Sequence, residues 1–429
     1  MVIVLIVLGS RGDVQPLIAL ASGLRQRGHI VRVATHESLR QFVERHGFEF
    51  RLVRPDLGGM LQLPRVRQSM ERGNLNMIVN FLAIMRELRP ELDTMAEEML
   101  DACRGADAVI YPKVYGAAGH YIASWLGLLA VAYALQPCDP TGDFATLALP
   151  PGVNLGRWAN WRSHQVAINA LGWQPYAASA RSMARRHFPG EHIPARGPFA
   201  EMRRTHVPTL CAFSEHVVPK PSDWDAWLHV TGYWWLDEPA WSAPAELTRF
   251  LDDGEPPVYV GFGSMPAGSA RITAMVLGAL RASGQRGVLA GRWDGLPAGA
   301  IGSDVIVVND VPHSWLLPRM SAVVHHSGAG TTAAALRAGV PSINVPFFID
   351  QPFWADRVRA LGVGPNPIPL RKLNEARLTS AISRAVTDQS MRERCLAMRA
   401  RLAEENGVEA AVEVIETALA TRGATWSAR

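Results

Sequence analysis

The chain opens Met1-Val-Ile-Val-Leu-Ile-Val-Leu8, turns through Gly9-Ser-Arg-Gly-Asp13-Val-Gln-Pro16, and then spaces Val14, Leu17, Ile18, Ala21 and Leu24 at helical intervals before Gly28. A β-branched run without charge reads as a strand buried on both faces, and the following spacing reads as a helix with one apolar stripe. Ile30 to Ala34 is a second apolar strand, so residues 1–34 form a βαβ unit. Neither a basic start nor a small-residue cleavage site accompanies the first run, so it is expected to be a core strand rather than a secretion signal.

The pattern recurs. Ala108–Tyr111, a small-residue helix from Ala117 to Leu126 and the strand Leu129–Ala134 extend the first parallel sheet. A second series begins at Val258-Tyr-Val-Gly-Phe262 and continues through Val288–Ala290, Val305–Val308, Ala322–Val324 and Ser342–Val345. Between the series, residues 216–257 hold six prolines and five tryptophans, which predicts a stiff, partly packed linker. The end of the chain, Ala376 to Ala420, reads as helical throughout. The expected fold class is α/β, with two Rossmann-like doubly wound lobes facing a central cleft and a C-terminal helix crossing back. The expected divisions are 1–215, a linker 216–257, 258–405, and 406–429 packing on the first lobe.

A length of 429 residues, 48% hydrophobic and 19% charged, fits two or three globular domains. No apolar run is long enough for a bilayer helix. The net charge of +4 is spread along the chain, which argues against nucleic acid as a partner. All but Lys113, Lys220 and Lys372 of the 43 basic residues are Arg. Cys103, Cys138, Cys211 and Cys395 lie far apart without metal-ligand spacing, which fits a reducing cytoplasm.

In open parallel sheets ligands bind beyond the carboxyl ends of strands. Three loops stand there: Gly9–Pro16, Gly261-Phe-Gly-Ser264, and His325-His-Ser-Gly-Ala-Gly-Thr-Thr332. The last follows a strand and opens a helix, so its N–H groups and dipole suit an anion and its small residues admit a phosphate. A histidine at its mouth can donate a hydrogen bond or, protonated, oppose phosphate charge. A glycine-rich turn with core histidines is the plainer reading of that loop alone.

Four blocks narrow the choice: Val311-Pro-His-Ser-Trp-Leu316, His326-Ser-Gly-Ala-Gly-Thr331, Arg337-Ala-Gly-Val-Pro341, and Pro346-Phe-Phe-Ile-Asp350-Gln351-Pro-Phe-Trp354. In order and spacing they resemble the donor-binding signature of nucleotide-sugar glycosyltransferases of the two-lobed GT-B type, family 1. Gly9-Ser-Arg-Gly-Asp13 and Thr231-Gly-Tyr-Trp-Trp235 resemble segments of the bacterial glycopeptide and sterol branches.

The resemblance implies that His326 contacts the donor diphosphate, beside Gly328, Gly330, Thr331 and Ser264. It implies that Asp350 and Gln351 hold hydroxyls of the donor sugar, and that Val311 and His313 meet the nucleoside. Asp310 stands where plant members carry a stacking Trp and His313 where they carry Gln, which leaves uridine and thymidine both open. Asp13 matches the family's general base, His in plant-like members and Asp in the glycopeptide and sterol branches. Its place in a first helical turn favours the carboxylate and lowers its basicity; residue type alone also admits a helix cap. No metal or resident cofactor is expected, the UDP- or dTDP-sugar being a co-substrate.

The expected activity is therefore an inverting hexosyl transfer to a hydroxyl of a lipophilic small molecule, such as a sterol, terpenoid or polyketide, by a monomer or dimer. The rivals are a nucleotide-sugar epimerase or hydrolase, and a noncatalytic partner protein. Trp158, Trp161, Trp173 and Tyr176 suit an acceptor wall or ordinary core. Asp223-Trp-Asp225 has metal-site spacing but lies in the linker, and Arg11-Gly12-Asp13 at the end of a buried strand is not placed to protrude as an adhesion tripeptide.

Overall fold

The computed structural model describes residues 1–56, 85, 88–238, 241–263, 270–296, 304–347 and 350–426, with side chains to 421. These residues form two compact units, one reaching Leu236 and resuming at Glu405, the other running from Asp237 to Glu404.

The first unit is a seven-stranded sheet of β1 (Val2–Ile6), β2 (Ile30–Thr35), β3 (Glu49–Leu52), β4 (Ala108–Pro112), β5 (Leu129–Ala134), β6 (Thr209–Cys211) and β7 (Leu228–Val230). Their order is β3-β2-β1-β4-β5-β6-β7, with every pairing parallel. The second unit is a five-stranded parallel sheet of β8 (Val258–Gly261), β9 (Gly287–Ala290), β10 (Val305–Val308), β11 (Ala322–His325) and β12 (Ser342–Asn344), in the order β10-β9-β8-β11-β12. Both sheets are doubly wound, as the two βαβ series predict. In each, strand order reverses beside the central strand, between β1 and β4 and between β8 and β11. That switch point opens a crevice at the carboxyl edge.

Three strands escaped the sequence reading. Glu49–Leu52 alternates exposed and half-buried positions, while Thr209–Cys211 and Leu228–Val230 are only three residues long. Short strands, two of these three at the sheet edges, carry too little apolar periodicity to stand out. The stretch 216–257 accordingly contains the edge strand β7 as well as a helix, Ala245–Asp252. The C-terminal run is three helices rather than one: Glu375–Thr387, Gln389–Ala403 and Gly407–Trp426. Asp388 breaks the first two by leaving helical geometry and accepting a hydrogen bond from the Met391 N–H, as an N-cap does.

The opening strand is wholly buried from Ile3 to Val7, and Leu17, Ile18, Leu20 and Leu24 of the helix Arg11–Gln26 are inaccessible beneath it. Each such side chain contributes about 1.5–3 kcal/mol on burial. The same helix meets Gly407–Trp426 at Gly23, where a Cβ would lie 2.5 Å from Val408 Cγ1. An Arg27–Glu409 ion pair closes that contact at the surface. Among the described residues no helix is long and apolar enough to cross a membrane.

Candidate active site

At the end of β1 the chain passes through Gly9, whose φ of +136° belongs to glycine, and Ser10 enters the helix Arg11–Gln26 in extended geometry. Asp13 is therefore the third helical residue. Its Oδ2 accepts from the Ser10 N–H at 2.7 Å and the Ser10 hydroxyl at 3.0 Å. The capping role that its residue type admits is thus realised. Both Ser10 bonds are made to that one oxygen.

Burial pushes the Asp13 carboxyl above its ordinary value, and the two Ser10 bonds and nearby His36 only partly offset this. The sequence reading expected the helix terminus to lower its basicity. Desolvation of the carboxylate outweighs the bonds that favour its charged form.

His36, fully buried after β2, was not anticipated. Its Nε2 accepts the Gly9 N–H at 3.1 Å, so its proton is on Nδ1 and is donated to the Val53 carbonyl at 2.8 Å. Burial holds its pKa below the usual range, and the neutral ring fixes Gly9. Tyr133, from β5, donates its hydroxyl to the Ile6 carbonyl at 3.2 Å. The one sequence signal for His36 was its place at the carboxyl end of an apolar strand.

Elsewhere in this unit the aromatic residues divide. Trp173 and Tyr176 are core side chains, while Trp158 is 76% exposed. Trp161 lies under the Arg203 guanidinium. Asp223 braces a loop, accepting from Thr141 Oγ1 and the Gly142 N–H, both at 2.7 Å.

In the second unit β11 ends at His325, and the chain runs through His326 and Ser327 to Gly328, the N-cap of the helix Ala329–Ala338. Ser327 takes a left-handed φ of +65°. The His326 ring lies against two glycines: a Cβ on Gly328 would be 2.5 Å from its Nε2, and one on Gly263 would be 3.0 Å from Cε1. Gly330 is exposed and Thr331 half-buried on the first turn. Buried His326 Nδ1, Ser327 Oγ and Thr332 Oγ1 have no hydrogen-bond partner among the described residues. Such groups gathered at a helix N-terminus suit an oxyanion that brings its own acceptors.

Burial, with nearby His313, lowers the His326 pKa to about 4, so the free ring is neutral rather than cationic at pH 7. His313 opens the short helix His313–Leu316, after Val311 and a left-handed Asp310 (φ +53°), and its Nε2 lies 3.0 Å from the Tyr259 hydroxyl. Gln351 accepts the Phe347 N–H at 2.8 Å, and Asp350 Oδ2 accepts the indole N–H of buried Trp354 at 2.9 Å. The Phe347 ring meets Phe262 after β8 at 5.9 Å.

The loops after β8, β10, β11 and β12 therefore converge, with His313, after β10, close enough to influence His326. They bring together His313, His326, Gly328, Gly330 and Thr331 and the strut that carries Asp350 and Gln351. Ser264 lies outside the described residues. Tyr259, within β8, supports His313, and the sequence offered no signal for it.

Two family models match. Residues 3–118 match the glycosyltransferase family 28 N-terminal domain, and residues 294–417 match the erythromycin biosynthesis protein CIII-like C-terminal domain. The chain is 37% identical to the O-mycaminosyltylonolide 6-deoxyallosyltransferase of Streptomyces fradiae, covering 98% of both chains. It is 35% identical to a sterol 3-beta-glucosyltransferase of Arabidopsis thaliana, covering 96% of this chain and 67% of that one. Among solved structures, the glycosyltransferase VinC in complex with dTDP superposes with a TM-score of 0.64 at 20% identity, covering 97% of this chain and 99% of that one. The chain belongs to the GT-B glycosyltransferases of family 1, the family that takes in these macrolide and sterol enzymes.

Proposed function

We propose that the protein is an inverting, metal-independent glycosyltransferase that moves a hexose from a UDP- or dTDP-sugar to a hydroxyl of a lipophilic small molecule. The observation that carries this reading is the set of unpartnered polar atoms, His326 Nδ1, Ser327 Oγ and Thr332 Oγ1, at the N-terminus of the helix Ala329–Ala338. A departing diphosphate would be received there by N–H groups and hydroxyls, with the helix dipole opposing its charge.

Asp13 Oδ1 takes the proton of the acceptor hydroxyl as the oxygen attacks the anomeric carbon. The bond from that carbon to the diphosphate oxygen breaks in the same step, and configuration inverts. Desolvation supports this assignment by making Asp13 a better base than an ordinary carboxylate. Asp350 and Gln351 are proposed to grip sugar hydroxyls, and Val311 and His313 to meet the nucleoside. Ser264 is retained beside the diphosphate from the family resemblance.

The named relatives act on a sterol and on mycaminosyltylonolide, so the acceptor class proposed is a polycyclic or macrocyclic alcohol. Unpaired cysteines fit a reducing cytoplasm. The test is mass spectrometry of purified protein with UDP- and dTDP-sugars against a panel of such alcohols. Acceptor-dependent addition of a hexose supports the reading; equal consumption of donor with and without acceptor favours a hydrolase or epimerase.

A further inference from the structure

His325 is not assigned a role by any of the chemistry above, yet its geometry is fully determined. It is inaccessible at the end of β11. Its Nδ1 accepts the Ser327 N–H at 3.1 Å, and a backbone amide can only donate, so that nitrogen carries no proton. The remaining proton is on Nε2, which donates to Ser342 Oγ on β12 at 2.6 Å. The ring is thereby clamped between a neighbouring strand and the amide of a residue two positions on.

That amide belongs to the one residue of the loop with strained backbone. Ser327 at φ +65° is strained relative to right-handed geometry. The turn it makes places Gly328 at the N-cap and folds the His326 ring over Gly328 and against Gly263. Nothing in the serine side chain offsets the strain, since its Oγ has no partner among the described residues. The bond from its N–H to His325 is the interaction that does.

We infer that His325 is a positioning residue for the donor site: by accepting the Ser327 N–H it holds the left-handed turn that aims His326 and the first amides of the helix Ala329–Ala338. This rests on the reading that a nucleotide diphosphate binds at that helix. A ring held neutral by burial, with His326 and His313 nearby, suits the task, because protonation of Nδ1 would break the bond.

The experiment is calorimetry of UDP and dTDP binding to the full chain, with four variants. His325→Leu fills similar space without an acceptor and should weaken binding on the order of tenfold, equivalent to about 1.4 kcal/mol. His325→Asn places a carbonyl oxygen near the Nδ1 position and should retain most of the affinity. Glycine reaches positive φ without penalty, so the loss on His325→Leu should shrink severalfold when measured in the Ser327→Gly background rather than with Ser327. In turnover assays His325→Leu should raise the donor KM with kcat held at saturating donor. An equal loss in both backgrounds, or affinity that His325→Leu leaves intact, overturns the inference while sparing the donor reading. Absence of any nucleotide diphosphate binding by the unmodified chain overturns both. Thermal melting verifies folding, and the Asn variant decides the question should the Leu variant fail to fold.

Discussion

Gly9 and Asp13 share one space: a Cβ on Gly9 would stand 2.4 Å from Asp13 Oδ2. The glycine is required twice, by this approach and by its φ of +136°. Gly9→Ala should therefore displace the carboxylate, cost about 1–3 kcal/mol of stability, and lower kcat far more than it raises the donor KM. Kinetics beside thermal denaturation test this; an alanine variant with unchanged kcat would separate Asp13 from the chemistry.

Asp13→Asn keeps the Ser10 bonds to Oδ2 but removes the base. Turnover should fall by about 10²–10⁴, with nucleotide diphosphate affinity and melting temperature close to the unmodified values. The pH dependence has a definite sign. Burial raises the Asp13 pKa from 3.8, so kcat should decline toward acid with a midpoint above that value. Ser10→Ala removes a hydrogen bond to the charged form and should move the midpoint further up. A midpoint that moves down contradicts the assignment.

His326, with a pKa lowered to about 4, enters the reaction neutral. A diphosphate beside it favours the imidazolium, so binding should raise its pKa and take up protons between about pH 4 and 6.5. Calorimetry in buffers of different ionisation enthalpy measures that uptake. His326→Gln should abolish the part of it that exceeds the titration of the nucleotide itself. Equal proton uptake in the two proteins would place the diphosphate away from this ring.

Much of this architecture could be read before any coordinate. Val2–Ile6 and Ala322–Val324 are continuous apolar runs, and a parallel strand buried on both faces produces that pattern and little else. Asp13 and His326 were singled out by the family resemblance and by place, since each lies where such a strand gives way to a helix. The supporting residues were not. His36, Tyr259 and His325 act through contacts to Gly9, His313 and Ser327 that depend on backbone direction and side-chain tautomer, which residue spacing does not encode. The depressed pKa of His326 and the raised one of Asp13 were equally hidden, because both arise chiefly from burial, which residue type and spacing do not give.

The last test concerns stability rather than chemistry. Lys113, just after β4, pairs with Asp139, each side chain 3% exposed, and its Nζ lies 4.9 Å from the Trp227 ring centroid. Both residues follow strands at the carboxyl edge of the first sheet. Removing one partner leaves a buried charge without its counterion, so Lys113→Met should cost about 3–5 kcal/mol. Asp139 Oδ2 has no other partner among the described residues that could absorb the loss. Adding Asp139→Leu to that variant removes the stranded charge and should recover part of the stability. Urea denaturation followed by the fluorescence of the tryptophans, Trp227 among them, reads both effects. Should Lys113→Met leave the first unfolding midpoint in place, the pair contributes nothing and the carboxyl edge is held by its apolar contacts alone.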